Sequence, residues 1–198
     1  MKSALLLSGG MDSACIAYWK RPDLAINVDY GQKPAEAERQ AAQAVAATLG
    51  IPLELVSVDC SSLGSGDLAG ASPGVYAPSS EWWPFRNQLI ITLAVMAAVK
   101  HGIRELMIGT LKSDGIHADG RPDFVMAMSR VCQLQEGNIH LSAPAIQFTA
   151  VELVRHSGIP MDLLAWAHSC HTGNLACGQC RGCNKQANTY DELSDLAC

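Results

Sequence analysis

The sequence lacks the features that would place the protein in a membrane or on a nucleic acid. Although 48% of its 198 residues are hydrophobic, no apolar run approaches the roughly eighteen residues needed to span a bilayer. It has 14 Lys and Arg against 19 Asp and Glu, a net charge of −5, and no basic cluster of the kind that binds nucleic acid. An apolar strand is predicted almost at the first residue, which leaves no room for a signal peptide. We therefore expect a soluble, cytoplasmic protein with neither a membrane nor a nucleic acid as partner.

The most informative stretch lies near the start and reads Leu-Leu-Leu-Ser-Gly-Gly-Met-Asp-Ser. Residues 4–7 predict a buried strand, Gly9 and Gly10 allow a sharp turn close to a ligand, and Asp12 and Ser13 favour the start of a helix. This order gathers free backbone N–H groups at the positive end of a helix dipole, a geometry that binds phosphate. The stretch has neither the Gly-Lys-Ser/Thr ending of a Walker loop nor G-x-G-x-x-G. A tight turn without a ligand is the alternative.

Strands and helices alternate along most of the remaining chain. Such alternation is typical of a parallel sheet covered by helices on both faces. The predicted strands are residues 24–28, 53–58, 106–109 and 139–142, and the predicted helices are residues 35–49, 87–100, 124–135 and 149–157.

Residues 59–84 interrupt this alternation with a long segment rich in Ser, Gly and Pro. Loops of this length are usually lids, binding segments or disordered. The segment ends in Trp82 and Trp83, which we interpret as packing residues or as a contact between two chains. A ring stacked on a substrate is the alternative.

Polar residues follow the predicted strands at the positions where an open α/β sheet binds its ligand, at the carboxyl ends. Asp29 follows the second strand and Gly109 ends the fourth. The turn after the fourth strand carries Asp114, Asp119 and Arg121. These residues are therefore candidates for contacts with a ligand.

Four of the eight cysteines crowd into one short segment, at Cys170, Cys177, Cys180 and Cys183. This spacing suits a tetrahedral Zn²⁺ held by four thiolates, and a filled ligand set leaves no open position for substrate, so we predict a structural zinc. An iron–sulfur cluster would use the same ligands.

Two histidines near the four cysteines are the alternative ligands. His168 and His171 lie close enough in sequence to compete for the metal, although four cysteines already complete the set. The remaining cysteines are interpreted as small buried or tail residues. They are Cys15, Cys60, Cys132 and Cys198.

The glycine-rich loop resembles the pyrophosphate loop of the ATP pyrophosphatases. Together with the cysteine pattern, the chain resembles the 7-cyano-7-deazaguanine synthase family over nearly its whole length. The intervening residues that agree are Asp29-Tyr30-Gly31-Gln32, Arg86-Asn87, Gly109, Asp114, Arg121-Pro122-Asp123-Phe124 and Ala143-Pro144.

The resemblance implies a fold, a division of the chain and an activity. The fold is a Rossmann-like, five-stranded parallel sheet with helices on both faces and a C-terminal zinc-binding segment; residues 1–160 would form the pyrophosphate-loop domain and residues 161–198 the zinc-binding segment. The activity is ATP-dependent adenylation of 7-carboxy-7-deazaguanine, amidation by ammonia, and conversion of the amide to the nitrile. A homodimer, structural Zn²⁺, and Mg²⁺ as the counter-ion of ATP are also implied.

The resemblance also assigns roles to residues of this chain. Asp12, Ser13 and Arg86 are the candidate catalytic residues, with Asp12 as the protein partner of Mg²⁺. The candidate nucleotide-binding residues are Ser8, Gly9, Gly10, Met11, Asp12, Ser13, Asp29 and Gly109. The candidate substrate-binding residues are Arg86, Asn87, Asp114, Asp119 and Arg121.

The chain departs from the family pattern mainly on the substrate side. The departures are Asp119-Gly120-Arg121 for Asp-Cys-Arg, Thr149-Ala150 for Thr-Lys, Gln186 and Tyr190 for Arg and Phe, and Lys33-Pro34 for a basic-His pair. They favour a paralogue that stops at the amide, or that joins a deazaguanine carboxylate to a protein amine.

Two other classes of function are alternatives. A tRNA-thiolating enzyme would need a basic surface that this chain lacks. A zinc-containing nucleotide-binding module without turnover is the second alternative, supported by Ala150.

Overall fold

The computed structural model describes residues 1–195; the prediction for Cys198 lies outside the described residues. None of the helices in this part of the chain has the length and apolar character that crossing a bilayer would require. In chain order the elements are β1 (Ser3–Leu6), α1 (Met11–Lys20), β2 (Leu24–Asp29), α2 (Ala35–Leu49), β3 (Leu53–Ser57), α3 (Gly66–Ala69), α4 (Arg86–Lys100), β4 (Glu105–Met107), α5 (Pro122–Gln133), β5 (His140–Ser142), α6 (Ala150–Ser157), α7 (Met161–Leu164) and α8 (Arg181–Asp195).

The five strands form one parallel sheet in the order β3-β2-β1-β4-β5. The central strand β1 pairs on both sides, with Ala4 opposite Leu24 of β2 and Leu106 of β4. The chain therefore runs outward in one direction through β3 and then returns to the other side of β1. This reversal places a crevice at the carboxyl ends of β1 and β4. The predicted Rossmann-like α/β fold is confirmed.

Helices cover both faces of the sheet, which explains why residues 4–7, at the central strand, form a continuous buried apolar run. Successive side chains of a strand point to opposite faces, so Ala4 and Leu6 pack in one layer and Leu5 and Leu7 in the other. The first layer contains buried residues of α4 and α5, and the second contains buried residues of α1, α2 and α6. Two hydrophobic cores thus hold the carboxyl ends of the strands in fixed positions.

The long segment between β3 and α4 is folded back on itself rather than extended. The amide of Asp67 donates to the carbonyl of Ser80 at 2.8 Å, and the amide of Gly74 donates to Ser65 Oγ at 2.9 Å. Trp83 is buried and meets the ring of Tyr30 edge-on, with 5.0 Å between the ring centroids. Trp83 is therefore a packing residue, as interpreted from the sequence.

Helix α8 is the main element that the sequence analysis did not predict. It begins inside the cysteine cluster and is held to the domain by polar contacts along its length. Gln186 Nε2 donates to the Ala167 carbonyl at 3.3 Å and to the Tyr190 hydroxyl at 3.2 Å, and that hydroxyl donates to the Leu164 carbonyl at 3.3 Å. Two residues that depart from the family pattern therefore form one network that fixes this helix.

Candidate active site and metal centre

A cavity of about 280 Å³ opens at the carboxyl ends of β1 and β4, where the strand order reverses. Its walls come from the turn after β1, the segment before α4, the segment after β4, and the start of α8. The polar and charged residues that line it are Ser8, Asp12, Ser13, Tyr30, Glu38, Glu81, Arg86, Asn87, Thr110, Asp114, His117, His171, Arg181 and Lys185.

The turn after β1 forms the floor of this cavity. Helix α1 starts at Met11, and its N-cap residue Gly10 is extended and makes no side-chain hydrogen bond to the helix. The N–H groups in the first turn of α1 have no partner within the helix. Ser13 Oγ donates to the Gly10 carbonyl at 2.9 Å and lies 3.1 Å from Ser8 Oγ. The two hydroxyls and the free amides thus surround one point at the positive end of the helix.

Gly9 is required by the packing behind this turn. Its φ is +84°, and a Cβ built on it would come 2.2 Å from the backbone carbonyl oxygen of Glu38 on α2. Its own carbonyl accepts a hydrogen bond from the amide of His168 at 2.9 Å. Gly9 therefore shapes the turn from behind and does not line the cavity.

Asp12 is paired with a residue from the far end of the chain. Lys185 Nζ donates to Asp12 Oδ2 at 2.7 Å, whereas Asp12 Oδ1 is buried and has no hydrogen-bond partner among the described residues. Burial raises the pKa of Asp12, and the nearby Lys185 opposes this rise. One carboxylate oxygen is thus bonded to an ammonium group, and the other is left for a further ligand.

The structure brings eight of the candidate residues together on the cavity walls and places five elsewhere. Those on the walls are Ser8, Gly10, Asp12, Ser13, Arg86, Asn87, Gly109 and Asp114. Those elsewhere are Gly9, Met11, Asp29, Asp119 and Arg121.

The residues placed elsewhere support the site or the fold. Met11 is buried in the core, and Asp29 Oδ1 accepts from the Gly31 amide at 3.0 Å. The Asp119 carbonyl accepts from Asn87 Nδ2 at 3.1 Å, so this residue orients a wall residue. Arg121 is exposed, and its Nε donates to the Gly115 carbonyl at 3.0 Å.

Sequence reasoning missed an ionic cluster, centred on buried Glu81, that also lines the cavity. Glu81 is 5% exposed, and its Oε1 accepts from His117 Nε2 at 3.1 Å and from Arg181 Nη1. Burial alone would raise the pKa of Glu81, but hydrogen bonds from His117, its own backbone, Ser79 and Arg181 together hold it well below its usual range. Glu81 and His117 lie in two separate loops and Arg181 begins α8, so no local pattern in the sequence relates them.

Glu38 is a second carboxyl group that the motifs did not indicate. It lines the cavity from α2, and its Oε2 accepts from Gln32 Nε2 at 2.8 Å. Burial raises the pKa of Glu38 to about 7, against the opposing effects of Gln32 and Arg86. The position follows only from the packing of α2 against the turn at Gly9.

The four predicted cysteines form one cluster beside the cavity, with all four Sγ atoms within 4.8 Å of one another. Cys177 Sγ lies 3.9 Å from Cys183 Sγ, and Cys180 Sγ lies 4.0 Å from Cys170 Sγ. Thiolates on a tetrahedral Zn²⁺ are separated by about 3.8 Å, as the Zn–S bond length requires. The donor set and its spacing therefore fit a bound metal.

Neither histidine belongs to this cluster. His168 Nε2 lies 3.0 Å from the Gly173 carbonyl oxygen, and the His171 side chain faces the cavity. The amides of His171 and Cys183 both donate to Cys180 Sγ at 3.4 Å. His171 therefore contacts the cluster through its backbone amide.

The fold and the site define a class of protein: a Rossmann-like α/β protein with a polar cavity at the switch point of its sheet and a C-terminal four-cysteine centre. A family model described as "Queuosine biosynthesis protein QueC" matches residues 2–194. The chain belongs to this family, as its motifs predicted.

Relatives with a curated name agree over almost the full length of the chain. A protein of Methanoculleus marisnigri is 31% identical, with 97% of this chain and 95% of the relative covered. A protein of Pseudomonas aeruginosa is 30% identical, with 96% and 93% covered. Both are named 7-cyano-7-deazaguanine synthase. The chain is thus a member of a family of enzymes of queuosine biosynthesis.

The cysteine cluster predicts the metal content of the purified protein. We expect about one Zn²⁺ per chain, and we expect Cys177→Ser to lower both the zinc content and the unfolding temperature because one of the four thiolates is lost. Cys60→Ser is the control, since Cys60 lies outside the cluster. Elemental analysis and thermal unfolding measure both quantities. Iron with the visible absorption of an iron–sulfur cluster would contradict the zinc assignment.

The raised pKa of Glu38 predicts a pH-dependent effect on stability. Because the folded-state pKa, about 7, exceeds the ordinary value of 4.5, this carboxyl favours the folded state at low pH and loses that contribution as the pH rises through about 7. Glu38→Gln should therefore stabilise the protein relative to wild type at pH ~8 more than at pH ~5. Urea unfolding at both pH values measures the difference. Exposed Glu136 provides the control, and an equal effect of Glu38→Gln at both pH values would contradict the assignment.

Proposed function

We propose that the protein activates 7-carboxy-7-deazaguanine with ATP and amidates it with ammonia, towards 7-cyano-7-deazaguanine. The observation that carries this proposal is the position of the turn at residues 8–13, which shares one cavity with Arg86, Asn87 and Asp114. A phosphate-binding turn and a set of polar groups for a second ligand thus face each other across a space of about 280 Å³. The names of the full-length relatives support the same activity.

On the phosphate side, the free amides of α1 and the hydroxyls of Ser8 and Ser13 would bind the departing pyrophosphate. Donors that are already oriented stabilise charge as it develops in the transition state. Asp12 would hold Mg²⁺ through Oδ1, because this buried oxygen has no partner among the described residues and Mg²⁺ prefers carboxylate oxygens. The ion supplies neutralisation of phosphate charge.

The acid side is the part of the cavity that would bind 7-carboxy-7-deazaguanine. Apolar strand ends and polar loops would hold the flat deazaguanine ring there. Leu6, Val28 and Ile108 line the cavity from three neighbouring strands. Arg86 would bind the carboxylate and orient it towards the α-phosphate, and Asn87, supported by Asp119, would bind the ring. Burial of this wall excludes water that would hydrolyse an activated acid.

The reaction would then proceed in two parts. A carboxylate oxygen attacks the α-phosphorus and pyrophosphate leaves, which gives an acyl adenylate. Ammonia attacks the acyl carbon, loses a proton, and displaces AMP to form the amide. The amide oxygen then attacks the α-phosphorus of a second ATP, and pyrophosphate and one amide proton leave to give an imidoyl adenylate. Loss of AMP and of the second amide proton leaves the nitrile.

The departures on the acid side favour a variant of this activity that ends at the amide or uses a protein amine. Gly120 lines the cavity where the family pattern has Cys, and a Cβ at this position would come 2.2 Å from the Asp114 carbonyl oxygen. The turn is therefore folded more tightly than a cysteine would allow. This observation bears on the acceptor and on the nitrile step, and it leaves the adenylation step unaffected.

We also propose the division of the chain that the motifs suggest, with residues 1–160 as the catalytic domain and residues 161–198 as the zinc-binding segment. The contacts of Gln186 and Tyr190 with residues 164 and 167 support the docking of α8 within that segment. A cytoplasmic homodimer is proposed on the resemblance alone.

One incubation tests the proposed activity. The protein is mixed with ATP, Mg²⁺, 7-carboxy-7-deazaguanine and ammonium, and the products are identified by mass spectrometry. We expect AMP, pyrophosphate and either the amide or the nitrile, in amounts that depend on 7-carboxy-7-deazaguanine. AMP formed only when a protein amine is supplied would favour conjugation. No AMP under any of these conditions would contradict adenylation and favour the module without turnover.

Asp12→Asn tests the phosphate side of the same proposal. The substitution removes the charge that would hold Mg²⁺ while it keeps the shape of the side chain, so we expect AMP release to fall at least about a hundredfold. Asp191→Asn on the exposed surface of α8 should leave the rate unchanged. AMP release is followed by chromatography. A rate within about threefold of wild type for Asp12→Asn would exclude the role assigned to this carboxylate.

A further inference from the structure

Lys185 is a cation in the candidate phosphate site that the motifs did not indicate. It lies in α8, 173 residues after Asp12, yet its side chain reaches the turn after β1. It lines the same cavity as Ser8, Gly10 and Ser13. The ammonium group is therefore placed beside the free amides of α1 by the folding of the C-terminal segment.

The ammonium group is only partly used by its protein partner. A lysine has three N–H donors, and among the described residues the only hydrogen bond of Lys185 Nζ is the one to Asp12 Oδ2. The side chain is 30% exposed towards the cavity and the solvent. Two donors therefore remain for oxygen atoms of a ligand.

No other lysine among residues 1–195 lines this cavity, whose other long cationic side chains are Arg86 and Arg181. Arg181, one turn before Lys185 on α8, is engaged by Glu81. Ala150, which stands where the resemblance places a lysine, is the first residue of α6 and packs against the hydrophobic core. The phosphate side of the cavity would thus have no lysine without Lys185.

We propose that Lys185 binds the β- and γ-phosphates of ATP, and the pyrophosphate that leaves. This inference rests on the proposed function, because it assigns a further residue to the same ATP site. In the free protein the ammonium group neutralises Asp12. When the nucleotide binds, its two free donors are taken by phosphate oxygens while the unpartnered Asp12 Oδ1 is available to Mg²⁺.

The position of Lys185 depends on the four-cysteine centre. Lys185 follows Cys183 by two residues, and Cys183 lies in the first turn of α8. Gly182 packs so tightly that a Cβ on it would come 1.8 Å from the Ser169 carbonyl oxygen. The metal-binding segment therefore fixes the first turn of the helix and, one turn later, the origin of the lysine side chain.

Direct binding of pyrophosphate, ATP and AMP to the zinc-loaded protein tests the proposal. Lys185→Gln keeps a donor for Asp12 but removes the charge, and should weaken pyrophosphate and ATP binding about tenfold to a hundredfold, the value of a charge-assisted contact. AMP binding should stay unchanged, because AMP lacks the two outer phosphates. Lys185→Arg should retain most of the affinity. Exposed Lys112 provides the control variant, Lys112→Gln, with wild-type binding.

The outcomes separate this proposal from the proposed activity. If Lys185→Gln binds pyrophosphate as tightly as wild type, or loses AMP binding to the same extent as pyrophosphate binding, the assignment of Lys185 is wrong. The adenylating activity then stands if wild type still releases AMP. If wild type releases no AMP but its pyrophosphate binding depends on Lys185, the activity fails and the phosphate role of Lys185 stands. Zinc content and thermal unfolding of each variant exclude a general loss of folding.

Discussion

The close approach of three backbone segments at Gly9 is the constraint on which the rest of the site depends. The turn after β1 lies against α2 so tightly that the Glu38 carbonyl oxygen occupies the space of a side chain. The carbonyl of Gly9 in turn accepts a hydrogen bond from the amide of His168, which lies two residues before Cys170. Only a residue without a Cβ permits this contact. The sheet, the helix layer and the C-terminal segment are therefore held together directly behind the turn after β1, the candidate phosphate site.

Most of the fold could be predicted from the sequence, because it follows from local patterns. The strands are short apolar runs, and the helices between them start and end at recognisable residues, such as the capping box of Thr149 and Glu152 and the left-handed Gly50. The loop at residues 8–13 and the four cysteines were equally visible, since the chemistry of each depends on residues close in sequence. These are the parts for which one stretch of chain contains all the information.

The parts that could not be predicted depend on contacts between distant segments. Helix α8 was not predicted because it begins within the cysteine pattern. The spacing of metal ligands does not indicate the secondary structure that follows the last ligand. The position of Lys185 follows from the direction of that helix. The cluster of Glu81, His117 and Arg181 joins two loops and the start of α8, which meet only in the folded chain. Five candidate residues do not line the cavity, although their sequence positions suggested that they would. A residue beside a motif can support the motif from outside the cavity, as Gly9 and Asp119 do.

The ion pair between Asp12 and Lys185 also has a consequence for the order in which the protein is made. A ribosome synthesises the chain from its N-terminus, so the glycine turn emerges long before its cation, which follows 173 residues later. A nascent chain therefore contains the loop but lacks both the lysine and the four-cysteine segment that positions it. The site becomes complete only after Lys185 and the four cysteines that precede it have been translated and have folded onto the turn.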